Sequence, residues 1–383
     1  MTESPAAEPP PDGIQPAAAP SERKPRPPAV WAWWGALLPW ILGAGLLLVA
    51  HSDPALVEAH YSRGVYPFLA DVIVRAGEAW AVVVPPTGLD AARLSLAEAT
   101  VVLGVLLFGW RGLRASRAGA ASGLRFLVGA TGWLLLGFML LWGLNHRREP
   151  LSMRLSLRTG PASPEELAVL AEEIGEALSR ELAGLDGSLG GRDFARLAAD
   201  AWAARVEEEP ELGWCTAPQV RAPLASRWLT ASGISGIFGP HTQECHVAAG
   251  LPPVDRGFVA CHEIAHAQGW AREDEANFLA WRVASRSRSP ALRISGLALT
   301  LVHVHGALRR ADPALQRECA LTLTPSVVSL MDERAAFWRR ARVESANRLA
   351  TAVNDAYLTS QGHGGVASYG RMVDLLVAER RAR

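Results

Sequence analysis

The run His262-Glu263-Ile264-Ala265-His266-Ala267-Gln268-Gly269-Trp270-Ala271-Arg272-Glu273-Asp274-Glu275-Ala276-Asn277-Phe278-Leu279-Ala280 reads as the end of one helix, a bend and the start of a second. Gly269 is a helix-terminating glycine, and helical residues four apart share a face, so His262 and His266 present two imidazoles to one point. With a glutamate directly after the first histidine, that spacing suits a tetrahedral Zn²⁺, Glu263 standing beside the open position as general base toward an attacking water. A third ligand is then needed from nearby. Glu273 is the expected one and Glu275 the alternative. Asn277 shares a face with Glu273 and is expected to hydrogen-bond an imidazole from behind. The plainer alternative is that Glu273, Asp274 and Glu275 only complement the positive end of their helix. Arg272 stands where a histidine would complete the longer HExxHxxGxxH pattern, and arginine does not ligate zinc at neutral pH, which excludes that arrangement.

On both sides of this run, residues 149–383 alternate amphipathic helices with Gly and Pro. Ser163-Pro164-Glu165-Glu166 supplies a capping hydroxyl, a first-turn proline and a third-position glutamate, and so starts a helix to about Leu182. Another is expected from Asp193 to Glu209, then helices over 256–268, 273–286, 291–309 and 325–358. Gly233–Gly239 and Thr242–Val247 read as short extended pieces, the only β region. Within it, Gly236–Val247 is the candidate edge strand beside the metal-motif helix, or else an ordinary hairpin. His241 and His246 there, and His303 and His305 on an apolar helix, read as structural.

The first 148 residues have a different character. Residues 1–29 are rich in Pro, Ala and charge without apolar periodicity and are expected to be a disordered tail. Uncharged or nearly uncharged apolar runs over about 31–50, 94–110 and 126–144 give three expected transmembrane helices in a membrane domain, 30–148, with the lipid bilayer as partner. Tyr66–Pro86 is also apolar, yet Asp71, Arg75 and Glu78 interrupt it at helical spacing, which fits an interfacial or loop helix. Arg111, Arg114, Arg117 and Arg125 lie between the second and third spans, and Arg23, Lys24 and Arg26 precede the first. Both flanks are therefore read as cytoplasmic and the region after Asn145 as outside, with Arg147 and Arg148 counting against that orientation.

Formal net charge is zero, which removes the broad basic field that nucleic-acid binding needs. Cys215, Cys245, Cys261 and Cys319 form no CxxC pair, excluding a zinc ribbon or thioredoxin-like motif; either buried thiols or a Cys215–Cys245 disulfide fits. Transport is disfavoured because only the second span carries an ionisable residue, Glu98. Amide hydrolysis also needs a donor for the developing oxyanion, and Tyr357, His363 and Tyr369 in the carboxy-terminal part are the candidates, with Gly362-His363-Gly364-Gly365 a flexible loop.

The Glu273 and Asn277 spacing resembles the gluzincins, zincins in which a second helix gives a metal-binding Glu and, four residues on, an Asp that orients a histidine. Asn277 departs from that Asp. Three amino-terminal spans, Trp142-Gly143-Leu144-Asn145-His146-Arg147-Arg148 at the membrane exit, the metal run and NDAYLTSQGHGGVASYGRMVDLL from Asn354 together resemble an uncharacterised bacterial family of membrane-anchored, zincin-like proteins, DUF3810-like, over residues 31–380. The resemblance implies a multi-pass protein of the bacterial cell membrane with a zinc site and no assigned substrate. The expectation is therefore a mainly α protein: transmembrane helices, then a mostly helical, zincin-like metallohydrolase domain with a small β-sheet, acting on a peptide or protein through Glu263. The alternative is a non-catalytic zinc-binding membrane protein serving as scaffold or regulator. Oligomeric state is not encoded in any motif.

Overall fold

The computed structural model describes residues 29–85, 89–214, 219–361 and 371–383. The expected tail thus lies almost entirely outside the described residues, as do Cys215, His363 and Tyr369. The chain is mainly helical with one small sheet.

Four described helices are long and apolar enough to cross a membrane, three of them in the amino-terminal part: Ala29–Ser52, Leu96–Arg117 and Ala120–Leu141. Ala120–Leu141 packs against both of the others. Small residues make the approach close, since a Cβ at Gly129 would touch Ala36 and one at Gly132 would clash with Trp40, whose Nε1 donates to Val128 O at 2.9 Å. The second helix starts two residues later than expected and runs on to Arg117. Glu98, which interrupts that span in sequence, is its third residue in a capping box with Ser95, and its carboxylate also accepts from the Leu224 and Ala225 amides. The third helix begins and ends earlier than expected, and Gly143–Arg147 is a 3₁₀ turn. The fourth long apolar helix, Pro290–Ala311, is 67% buried inside the protein and belongs to its core.

Tyr66–Val83 is a helix that buries Tyr66, Ala70 and Val74 at four-residue steps, preceded by a π-helix over Val57–Val65. Its amphipathic pattern fits a segment lying against protein on one side.

The sheet has three strands, β1 (Val220–Arg221), β2 (Gly236–Gly239) and β3 (Glu244–Val247), in the order β1-β3-β2. β3 is central, parallel to β1 and antiparallel to β2, with Cys245 opposite both Val220 and Phe238. The expected extended pieces are thus real, and β2 is an edge strand. The metal-motif helix Pro253–Ala267 lies against β3 and β2, and the acidic helix Glu273–Ala284 lies against the metal-motif helix. Trp202 Nε1 donates to Cys261 O at 2.9 Å and Trp270 Nε1 to Leu212 O at 2.7 Å, which fixes the motif helix and its exit bend to their neighbours.

The helices of the carboxy-terminal part also differ from expectation. Residues 325–358 form two helices, Pro325–Ala341 and Glu344–Ser360, because Arg342 and Val343 are extended and the Val343 amide donates to Ala231 O at 2.9 Å. No Gly or Pro marks the break. A further helix, Pro313–Leu321, is capped by Asp312.

The packing crosses the expected boundary at residue 149. Leu89 and Trp142 belong to the same buried cluster as Cys261, Ile264 and Phe278, and Glu244 of β3 accepts from the Leu96 and Ala97 amides that start the second long apolar helix. At Gly257 the motif helix meets Pro290–Ala311 so closely that a Cβ would lie 2.7 Å from Leu292 and 2.9 Å from Phe194. Gly257→Ala is therefore expected to lower stability by about 1–3 kcal/mol through overpacking, read as a fall in the thermal midpoint of the whole chain.

Candidate metal centre

His262 and His266 lie one turn apart on the motif helix, their ring centroids 4.6 Å apart and nearly perpendicular. The Gly269 backbone (φ +84°) turns the chain back, and Glu273, first residue of the next helix, reaches both rings. Its Oε2 is 3.2 Å from His262 Nε2 and its Oε1 3.6 Å from His266 Nε2. One ligand atom from each of the three residues lies within 4.8 Å of the others, and this is the one such cluster among the described residues. Two imidazole nitrogens and a carboxylate are a donor set suited to zinc.

The surroundings orient these donors. The Trp270 carbonyl lies 2.7 Å from His266 Nδ1, which must donate to it, so Nε2 is the ring atom turned toward Glu273 and the one that would ligate a metal. Burial works against a charge on His266, but the Glu273 carboxylate outweighs it and holds the imidazole up at about 9. Burial likewise opposes the charge on Glu273, yet the two imidazoles hold its carboxyl well below the usual range. His262 and Glu273 keep 12% and 16% side-chain exposure, so the cluster opens on one side.

Glu263 is 3% exposed and does not belong to the cluster. Burial pushes its carboxyl up, against the pull of His262 and His266, and Oε2 has no hydrogen-bond partner among the described residues. A Cβ at Gly236 would collide with Glu263 Oε1, so β2 passes directly over this carboxylate, which only glycine permits.

Three expectations fare differently. Glu275 does not reach the histidines; its carboxylate accepts from the Leu151 amide at 2.8 Å and from Arg272 at 3.2 Å, because residues two apart on a helix face different ways. Asn277 is buried on the acidic helix but makes no hydrogen bond to either imidazole, and its Nδ2 and His262 Nδ1 are both without a partner among the described residues. The position behind His266 is taken by the Trp270 carbonyl instead. Tyr357 has a defined place: Trp142 Nε1 donates to its hydroxyl at 2.9 Å, and His146 Nε2 lies 2.8 Å from the same oxygen. Burial raises the Tyr357 phenol to about 12, with the Glu273 carboxylate adding to the rise. His246 is buried with its Nδ1 donating to Ile237 O at 3.1 Å, His241 bonds Thr100 at 3.0 Å, and burial depresses His303 to about 4.

Trp142 and His146 were not expected at the site. The Trp142 ring meets His266 edge to face at 5.4 Å and His146 at 5.8 Å. Their four-residue spacing across the end of the third apolar run was the available signal. Behind them Arg148 is 3% exposed, bonded to both Glu58 oxygens (2.8 and 3.0 Å) and to Gly269 O at 2.9 Å, with its guanidinium 3.7 Å over Trp270. Arg154 also bonds Glu58, and Tyr66 donates to Ala267 O at 3.1 Å.

No curated protein and no solved structure matches the chain. The sequence model of one family, described as a protein of unknown function (DUF3810), matches residues 61–377, and the chain belongs to that family.

Proposed function

We propose that this chain is a membrane-anchored, zinc-dependent metallohydrolase, a peptidase of the zincin kind. The observation that carries the reading is the convergence of His262, His266 and Glu273 beside a buried carboxylate, Glu263, which an edge strand crosses. His262, His266 and Glu273 would hold the metal, and when bound it supplies Lewis-acid polarisation of the attacking water and of the scissile carbonyl. Glu263 takes the proton from that water and passes it to the amine that leaves. The raised affinity of its carboxyl for a proton suits a group that must both accept and return one. β2 holds the substrate in extended form by strand addition. The Tyr357 hydroxyl, fixed by Trp142 and His146, is the donor toward the oxyanion.

The helices Ala29–Ser52, Leu96–Arg117 and Ala120–Leu141 are read as spans, with the arginines between the last two facing the cytoplasm and the site on the extracytoplasmic side. Arg148, a charge against that orientation when counted in sequence, is buried against Glu58 and is no free flanking charge.

Metal analysis of the whole chain, purified in detergent, tests the ligand set. About one zinc per chain is expected for the wild type and for Glu275→Ala, and none retained after dialysis for Glu273→Ala. Zinc lost from the Glu275 variant alone would overturn the assignment.

A further inference from the structure

β2 joins the catalytic carboxylate to a membrane span over its own length. At one end Gly236 lies against Glu263 Oε1; at the other, a Cβ on Gly239 would stand 3.4 Å from the Ala97 side chain, in the first turn of the span Leu96–Arg117. At about 3.4 Å per residue the strand covers only about 10 Å. The turn after it and the start of β3 are tied to the same span, since His241 lies 3.0 Å from Thr100 Oγ1 and Glu244 accepts from the Ala97 amide at 2.8 Å. From the other side Trp142, the first residue past the span Ala120–Leu141, touches both His266 and Phe238 of β2 (5.4 and 5.2 Å). The outer edge of β2 is unpaired: among the described residues its backbone bonds run only to β3 and its own turn, and Ile237 is 50% exposed.

A peptide that pairs with this edge and places a bond at Glu263 therefore reaches the span's first turn within about three or four residues. Resting on the peptidase reading, we infer that the substrate is a polypeptide anchored in the bilayer and cut a few residues from its membrane-embedded part. The cut is a hydrolysis: the peptide C–N bond breaks, water gives its hydroxyl to the carbonyl carbon and its proton to the amine nitrogen.

The whole chain, its zinc content first measured, is reconstituted into phosphatidylethanolamine–phosphatidylglycerol vesicles and given a randomised peptide library of about ten residues. The library is offered free in solution, palmitoylated at its amino terminus, or palmitoylated through a Gly/Ser spacer of about twenty residues. Products are read by mass spectrometry against Glu263→Gln vesicles. Directly anchored peptides are expected to be cut about 100-fold faster than free ones. The cuts should cluster near the anchor, and the spacer should abolish them there. Concentration at the bilayer surface alone would accelerate spaced peptides equally. Free or spaced peptides cut as fast as directly anchored ones would overturn this inference and leave the peptidase reading standing. Zinc-loaded wild type that cuts none of the three would overturn the peptidase reading itself.

Discussion

Glu263→Gln is expected to lower hydrolysis of the peptide library by about 10²–10⁴-fold while zinc content stays at the wild-type level. Glu263 lies outside the cluster of His262, His266 and Glu273, so removing its charge takes no donor from the proposed ligand set. Glutamine keeps the shape of the side chain beneath Gly236, where space is short. It also removes a buried carboxylate whose Oε2 lacks a partner, so folding should not suffer. What glutamine cannot do is accept a proton from water. The variant thus separates an enzyme from a protein that keeps the metal only for folding or partner binding, because in the latter Glu263 is dispensable. Full activity in the glutamine variant would sink the assignment of Glu263 as general base. Zinc lost along with activity would instead make Glu263 a ligand.

The parts of the site that were legible in sequence are those set by local periodicity. His262 and His266 at i and i+4, a terminating glycine at 269 and acids opening the next helix fix relative directions within about twenty residues, and the fold preserves them. The apolar runs were legible for the same reason, since span length and absence of charge need no knowledge of neighbours. Glu275 was set apart from Glu273 only by helical phase, and the structure turns it to Leu151, a partner 124 positions away. Long-range partners of this kind are what the sequence withheld. Trp142, His146 and Tyr357 meet across more than two hundred positions, and no spacing rule selects such a trio. The break at Arg342 and Val343 is tied by the Val343 amide to Ala231 O, a partner more than a hundred positions away, so apolar steps of three and four ran through it unmarked. Composition misleads in the opposite sense at Pro290–Ala311, which is apolar enough for a membrane but is surrounded by protein.

The junction between the amino-terminal apolar helices and the candidate site gives the second large effect. Arg148→Ala is expected to lower the stability of the whole chain by about 3 kcal/mol, because it leaves Glu58 buried at 5% exposure with one of its partners gone. The lower end of the usual range applies, since Arg154 and Arg63 still face that carboxylate. The same change removes the guanidinium from the Trp270 face and from Gly269 O, and the Trp270 carbonyl is what holds His266 Nδ1. Zinc affinity should therefore fall by about 10–100-fold, although Arg148 touches no ligand. Arg63→Ala is the control: its side chain is 55% exposed, and Arg148 and Arg154 still face Glu58, so stability should shift by no more than about 1 kcal/mol. Thermal melting and competitive zinc titration of the three proteins in one detergent read both quantities. A fragment beginning at residue 149 lacks Arg148, Glu58 and Tyr66 together with Trp142 and Leu89 of the main core, so it should neither melt cooperatively nor hold zinc as the whole chain does. An Arg148→Ala protein that melts and binds zinc like the wild type would show that the metal site is independent of the membrane part, and the short path along β2 would then lose the rigid frame it requires.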